Sequence, residues 1–405
     1  MKSIKILLNK LFYLSFFAAL ICSCNEFDEP GIINNPDQIF SKSPVITSIN
    51  PADVAVAGVR EIEIIGSNFA VDGKDTNWVF IGGEPADVKS ITENKIVVYR
   101  PAAFGDDLGI TVAIPNALNV AQVSDYKIED PIEEFGDFTR ENYDLMSLAV
   151  DAEENLFVAT RRKILKLTSD GINLTTLVSL GSTFAKITDL KFGYSGLLYA
   201  AVSKKDIYVM DPVTGDEQKY VTLSKNTEKL DFDQNGNLYT GKRDGLFVVT
   251  PAKAVTETLH YDGTTIKNIR VYNGYVYVST DKEISRNKIL DDNGSLGEIE
   301  TVVNFNTISE FTNTNITSFN ISENGEILIS VSNHPEYRVF VLENESSLIP
   351  FYNNKNIIPP TIDQMIWGRG KTLYLNRGIT LSRDSVRLYK MGMETLGAPY
   401  YGRSL

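Results

Sequence analysis

The amino-acid sequence predicts an all-β protein in which a small β-sandwich precedes a six-bladed β-propeller. Three observations carry the prediction. Residues 144 to 393 hold six copies of one pattern, opening as LAVDAEENLFVAT, LKFGYSGLLYAAV, LDFDQNGNLYTG, IRVYNGYVYVST, FNISENGEILISV and MIWGRGKTLYLN. The second-strand anchors Leu156, Leu198, Leu238, Val276, Ile327 and Leu373 recur every 38 to 51 residues, the interval of one four-stranded blade. Ahead of them, residues 44 to 128 carry shorter alternating runs separated by Gly, Asn and Pro, as strands of a sandwich are.

The N-terminus comes first. Lys2 and Lys5 precede the apolar run LFYLSFFAALI, which is short for a membrane span and has the shape of a secretory signal over residues 1–23. The string Ile21-Cys22-Ser23-Cys24 resembles a bacterial lipobox, with Ser23 as the small residue before the acylated cysteine, so Cys24 is the expected lipidation site and Cys22, behind the bulky Ile21, is not. Residues 24–43 begin with the acidic NEFDEP and stay rich in Asn, Asp, Pro and Ser, a composition that cannot bury enough apolar surface to order itself; they are expected to be a tether. Acidic residues behind a lipidated cysteine resemble the export signal by which Bacteroidota lipoproteins reach the outer face of the outer membrane. That resemblance implies a lipid-anchored protein facing the cell exterior. Cys22 and Cys24 are the only cysteines, so neither domain has a disulfide or a cysteine metal site to stabilise it.

Next comes the sandwich, residues 44–128. Ile62 with Ile64, Val79 with Ile81, Ile96 with Val98, and Ile110 with Val112 alternate as inward positions do, while Gly66 with Asn68, and Gly82-Gly83, are expected to supply turn conformations. The segments PVITSINP, EIEIIGSNF, WVFIGGEPADV, IVVYRP and GITVAI resemble the IPT/TIG family of immunoglobulin-like domains along the whole segment. In that family the domain is a spacer or a binding accessory. Trp78 and Phe80 alternate with the inward pair; they form either a sugar-stacking patch or, as the preferred reading, the contact with the propeller.

Residues 129–143 are a linker able to contribute a closing strand, and residues 144–405 form the propeller. In the first strands Val150, Phe192, Phe232, Val271, Ile321 and Trp367 share one position, and Leu148, Leu190, Leu230, Ile269, Phe319 and Met365 lie two residues earlier, so both columns face a neighbouring blade. Trp367 is therefore expected in the core and not in a binding site. The second strands carry Phe157, Tyr199, Tyr239, Tyr277, Leu328 and Tyr374, followed two residues on by the small Ala159, Ala201, Gly241, Ser279 and Ser330, and by Asn376. TTLVSL, EQKYVTL, TETLHY, EIETVVNF and SSLIPFY are the expected fourth strands. The strand-turn-strand core, as in DQNGNLYTGKRDGLF, is similar to NHL-type propellers, although the His-Arg of that family survives only as variants such as Arg162-Lys163 and Tyr337-Arg338. NHL propellers range from lyases to nucleic-acid and protein binders. Either GDFTREN (136–142) or APYYGR (398–403) is expected to complete the last blade.

Most catalytic motifs fail on inspection. WGRGKT has Met365 where a phosphate-binding loop needs its first glycine, and Asp231-x-Asp233-x-Asn235-Gly236 has Lys242 where a calcium loop needs a bidentate Glu; an Asn-Gly hairpin explains the second string. His260 and His334 are the only histidines and fall in different blades, which argues against a histidine zinc site or triad. No cofactor is expected. One constellation remains, because the loops between second and third strands all emerge on one face. Their cations are Arg161, Arg162, Lys163, Lys204, Lys205, Lys242, Arg243, Lys282, Arg338, Arg377 and Arg383, and their acids Asp206, Asp244, Asp281, Glu283, Glu336 and Asp384. That rim is cationic in a chain of net charge −13, which offers no basis for a nucleic-acid partner. The longer fifth and sixth loops add Tyr337 to the candidate ligand site.

The parts fit a non-catalytic, surface-exposed lipoprotein that binds a polysaccharide, an anionic one if the rim binds it, in an uptake system with an outer-membrane transporter. Two alternatives stand beside it. One is a polysaccharide lyase or hydrolase using Tyr337 with Arg377, or a channel carboxylate such as Asp189. The other is a protein-protein interaction module at the cell surface.

Overall fold

The computed structural model describes residues 40–71, 77–138, 144–179, 186–202, 204–355, 357–377 and 387–399. Its regular elements are strands, apart from three single-turn 3-10 helices. The protein is all-β, an immunoglobulin-like sandwich followed by a six-bladed propeller.

The sandwich packs the sheet Val45–Asn50, Glu61–Ser67, Lys95–Tyr99 and Val88–Thr92 on a second one, Val54–Ala55, Ala121–Ile128, Gly105–Ala113, Trp78–Ile81 and Glu84–Pro85. The eight alternating residues expected inside are all buried in one core with Tyr126 and Ile128. Gly66 is needed for a different reason from the one expected. It lies so close to the paired strand that a Cβ would sit 1.8 Å from the Val45 carbonyl oxygen, whereas Asn68 and Gly82-Gly83 do adopt positive φ.

Each of the first five blades is a four-stranded antiparallel meander. Their inner strands are Ser147–Val150, Ile187–Phe192, Lys229–Phe232, Asn268–Tyr272 and Asn315–Ile321, and all five expected outer strands form. The sixth blade takes Gln364–Trp367, Thr372–Asn376 and Leu388–Gly392 from the end of the propeller and Glu133–Glu134 from ahead of its first blade. The closing strand thus precedes the segment 136–142, and the C-terminal candidate is used differently: Gly397 forms a single bridge to Ser322, and Ala398 N–H donates to Ile321 O. Closing one blade with strands from both ends ties the chain into a ring.

Side chains of the inner strands stitch that ring a second time, at all six blade junctions. Asp189 bridges two of them, accepting from Ser147 Oγ at 2.7 Å and from Leu230 N–H at 3.1 Å. Asp231 accepts from Val271 N–H, Asn268 donates to Phe319 O, Asn320 donates to Met365 O, and Gln364 Oε1 accepts from Leu148 N–H. Between these polar positions the two apolar first-strand columns are buried as expected, Trp367 among them, and so is the aromatic second-strand column. Burial of each such side chain is worth about 1.5–3 kcal/mol.

The two domains are in contact. Tyr352, between blades five and six, donates its hydroxyl to Ala57 O and Pro131 O, and Arg60 pairs with Glu326 at 2.6 Å. Arg100 donates to the carbonyls of Ala55, Val56 and Glu129, where the sandwich leaves for the propeller. Trp78 and Phe80 take no part in this docking. Trp78 is 55% exposed at the opposite end of the sandwich, so the preferred packing role for this pair is overturned.

Candidate functional site

At two levels along the inner strands, the positions between the apolar columns carry mostly polar side chains, with Ala149 and Ile366 the apolar exceptions. The upper layer, toward the loops between second and third strands, comprises Ser147, Asp189, Lys229, Asn268, Ser318 and Gln364; the lower comprises Ala149, Lys191, Asp231, Arg270, Asn320 and Ile366. Arg270 is buried in the lower layer, and each of its guanidinium nitrogens has a partner. It donates to Asp231 at 2.9 Å, to Asn320, and to the carbonyls of Ala398 and Pro399. Burial alone would raise the Asp231 carboxyl; Lys191 and Arg270, with the Val271 N–H, outweigh it and hold Asp231 below the usual carboxylate range. The lower mouth is therefore occupied by residues 397–399, with Gly397 against the Trp367 side chain.

The upper mouth is different. Asp363 is open to solvent there, yet burial by the surrounding walls pushes its carboxyl up to about 6, with Lys229 and Arg377 opposing the rise.

The rim cations divide into two arcs. On blades four to six the described ones are engaged with the fold. Lys282 donates to Thr312 O and Thr314 O, Arg338 to His334 O and Tyr337 O, and Arg377 to Pro360 O. Tyr337 is half-buried, its hydroxyl on Asn353 O and its ring 5.8 Å from that of His334. On blades one to three two cations are paired, Arg161 with Asp144 at 3.0 Å and Lys242 with Glu228 at 2.6 Å. The others, Arg162, Lys163, Lys204, Lys205 and Arg243, are exposed, and among the described residues no carboxylate pairs with them. Asp206, the acid of the second loop, is hydrogen-bonded by Lys219 and Thr222 and also feels the charge of Lys204. The candidate site residues thus come apart: Arg162, Lys204, Lys205 and Arg243 form an open arc, while Tyr337 and Arg377 are held elsewhere. Arg383 and Cys24 lie outside the described residues.

A cleft of about 470 Å³ lies where the sandwich meets blade six. Phe104, more than half exposed, forms one wall, and Asp106, Lys127, Glu129, Asp130, Glu133 and Lys390 supply the polar lining. Two of its acids are neutralised, Asp106 by Lys127 and Glu133 by Lys390. Sequence reasoning missed this site because it exists only once both domains are placed.

The string read as an Asn-Gly hairpin is one. Asp233 accepts from the Asn235 and Asn237 N–H groups, Gly236 adopts φ +81°, and Asp231 points instead to the axis. Asp189, a candidate for carboxylate catalysis, is buried with its oxygens engaged by Ser147 and two backbone N–H groups.

Comparison with known proteins agrees with this architecture. Residues 44–127 match the IPT/TIG domain family. None of the curated proteins compared with the chain matches it. Among solved structures, an auxiliary nutrient binding protein from Bacteroides ovatus superimposes with a TM-score of 0.51 at 14% identity, covering 86% of this chain and 97% of its own. A second auxiliary nutrient binding protein, from Bacteroides thetaiotaomicron, gives 0.52 at 12% identity with the same coverage. A putative phosphatase from Bacteroides thetaiotaomicron also gives 0.52 at 12% identity, covering 87% and 98%. Coverage of this extent exceeds either domain alone. At these identities the likeness is one of fold, and a fold shared by proteins so differently described leaves function to the site.

Proposed function

We propose that this chain is a lipid-anchored, non-catalytic binding protein on the outer face of the outer membrane, where it holds an anionic glycan for a nutrient-uptake system. The observation that carries the reading is the open arc of Arg162, Lys163, Lys204, Lys205 and Arg243 on three consecutive blades. Exposed cations with no ion-pair partner among the described residues are available to carboxylate or sulfate groups of a uronic-acid-containing or sulfated polymer, and Arg forks fit such oxygens in pairs. The auxiliary nutrient binding proteins that share the fold support a nutrient-binding role. The side chains an enzymatic reading needs, Tyr337, Arg377 and Asp189, are each engaged in a fold contact. Replacing Lys204, Lys205 and Arg243 by Glu is expected to weaken binding of an acidic polysaccharide at least tenfold, and added salt to weaken the unmodified protein, because exposed charges are screened beyond about 8 Å at physiological ionic strength. Affinity indifferent to both would remove the arc from consideration, and shortening of the polysaccharide during the assay would make the protein an enzyme.

A second reading rests on Phe104. An aromatic wall beside carboxylates and lysines, in a cleft within the usual 300–1,000 Å³ of ligand sites, suits stacking and hydrogen bonding to a neutral sugar. Loss of binding in Phe104→Ala, with the triple charge reversal silent, would favour it.

The anchor has its own test. Cys24→Ala, and not Cys22→Ala, is expected to abolish incorporation of a fatty-acid analogue, and label retained in the Cys24 variant would refute the assignment.

A further inference from the structure

The sandwich has two ends with different jobs. At one, Ala57, Gly58, Arg60 and Arg100 meet the propeller. At the other, large apolar side chains stand in solvent, and their neighbours in the sheet show that they stand together. Trp78 pairs with Ala113, and the register Thr111 with Gln122 and Val112 with Ala121 continues to place Val120 beside Ala113 on the same outward face. Leu118, 70% exposed, follows from the adjoining turn. Phe40 is brought alongside by Ser41, which bridges Ala117 and donates to Asn116 O. All four of these apolar side chains are at least half exposed. An exposed group of this kind marks a contact surface on a soluble domain.

We propose that this tip is a lipid-contacting surface, which lays Trp78, Leu118, Val120 and Phe40 into the interfacial region of the bilayer and stands the propeller away from it. What selects lipid is where the chain enters. Phe40, part of the patch, is also the described residue nearest in sequence to Cys24. Fifteen residues lie between it and Cys24, and a linker of that length spans about 21 Å on average, so on the anchored reading the tip is the part of the body held nearest the membrane. Tryptophan is the side chain that best suits the interface between headgroups and acyl chains, and the exposed Lys42 beside the patch offers a cation to lipid phosphate. The propeller docks at the far end of the sandwich, so a membrane at the tip leaves the cationic arc unobstructed.

This inference rests on the anchored reading, and its test avoids that dependence. The chain has two tryptophans, and Trp367 is buried in the propeller, so the change in emission on membrane contact reports Trp78. The chain from Asn25 onward is carried to vesicles of phosphatidylcholine and phosphatidylglycerol by an N-terminal histidine tag on nickel-chelating lipid, in place of acylation. Expected are a blue shift, quenching by brominated acyl chains and reduced access to acrylamide, all lost in Leu118→Ser with Val120→Ser while the protein stays bound through its tag. Emission and acrylamide access unchanged between vesicle-bound and free protein would overturn the proposal. So would a blue shift that grows with protein concentration without lipid, which would assign the tip to a second copy of the chain. Failure of the anchor is read separately, by fatty-acid labelling.

Discussion

Two carboxylates of the propeller respond to acid in opposite directions, because neighbouring charge outweighs burial at one and burial outweighs neighbouring charge at the other. Asp231 is held low by Lys191 and Arg270, so the stability it contributes is present above the unfolded value of about 3.9 and is lost as pH falls through its lower folded value. Asp363 is pushed up to about 6, so between about 4 and 6 the folded chain holds a proton that the unfolded chain releases, and its contribution is lost as pH rises through that window. Asp363→Asn is therefore expected to raise the urea midpoint at pH 7 and to leave it unchanged near pH 4. An equal gain at both values would show that the mouth does not strain this carboxylate. The sequence did not announce Asp363, since nothing local distinguishes it from any polar residue before a strand. By contrast Trp367 was legible as a core residue from its column partners alone.

At the scale of elements, six blades and five outer strands could be read from the repeat because the pattern is local: anchor, aromatic and small residue all lie within one hairpin. The closing strand and the polar ring were not legible in the same way. Glu133–Glu134 is two residues of ordinary composition, and its partner strand Leu388–Gly392 lies more than 250 residues away. Each stitch of the ring joins residues roughly forty apart or, at the last junction, more than two hundred, so no window along the chain contains both ends. Ala398 and Pro399, the described start of the C-terminal strand candidate, are a further case of this kind: they serve as the floor beneath Arg270. Removing residues 394–405 takes away both carbonyls that Arg270 binds through its Nη2, and an unsatisfied buried donor costs about 1–3 kcal/mol. The truncated chain is expected to melt several degrees lower, with the loss reproduced by Gly397→Val, whose side chain would collide with the Trp367 indole. An unchanged melting temperature in both variants would mean that the floor contributes nothing to closure.

Across the whole molecule the consequence of docking is mechanical. A sandwich joined to the propeller by a loose linker would let the binding face point anywhere, whereas this one is clamped by Tyr352 on Ala57 and Pro131, by the pair Arg60 and Glu326, and by Asn354 on Arg100 O. The buried cluster beneath Tyr352 includes Ala57 together with Met391, Met393 and Trp367, so a residue of the sandwich lies in the core of the last blade. The two domains should then move and melt as one body, despite each having a core of its own. Arg60→Ala alone removes a half-exposed ion pair worth about 0–1 kcal/mol and should change little. Tyr352→Ala removes a buried ring and two hydrogen bonds that hold the junction, and combined with Arg60→Ala it is expected to split a single calorimetric transition into two and to raise the radius of gyration measured by X-ray scattering. If the double variant kept one transition and the wild-type scattering curve, the clamp would have to reside elsewhere, and the three carbonyls gathered by Arg100 would be the next place to cut.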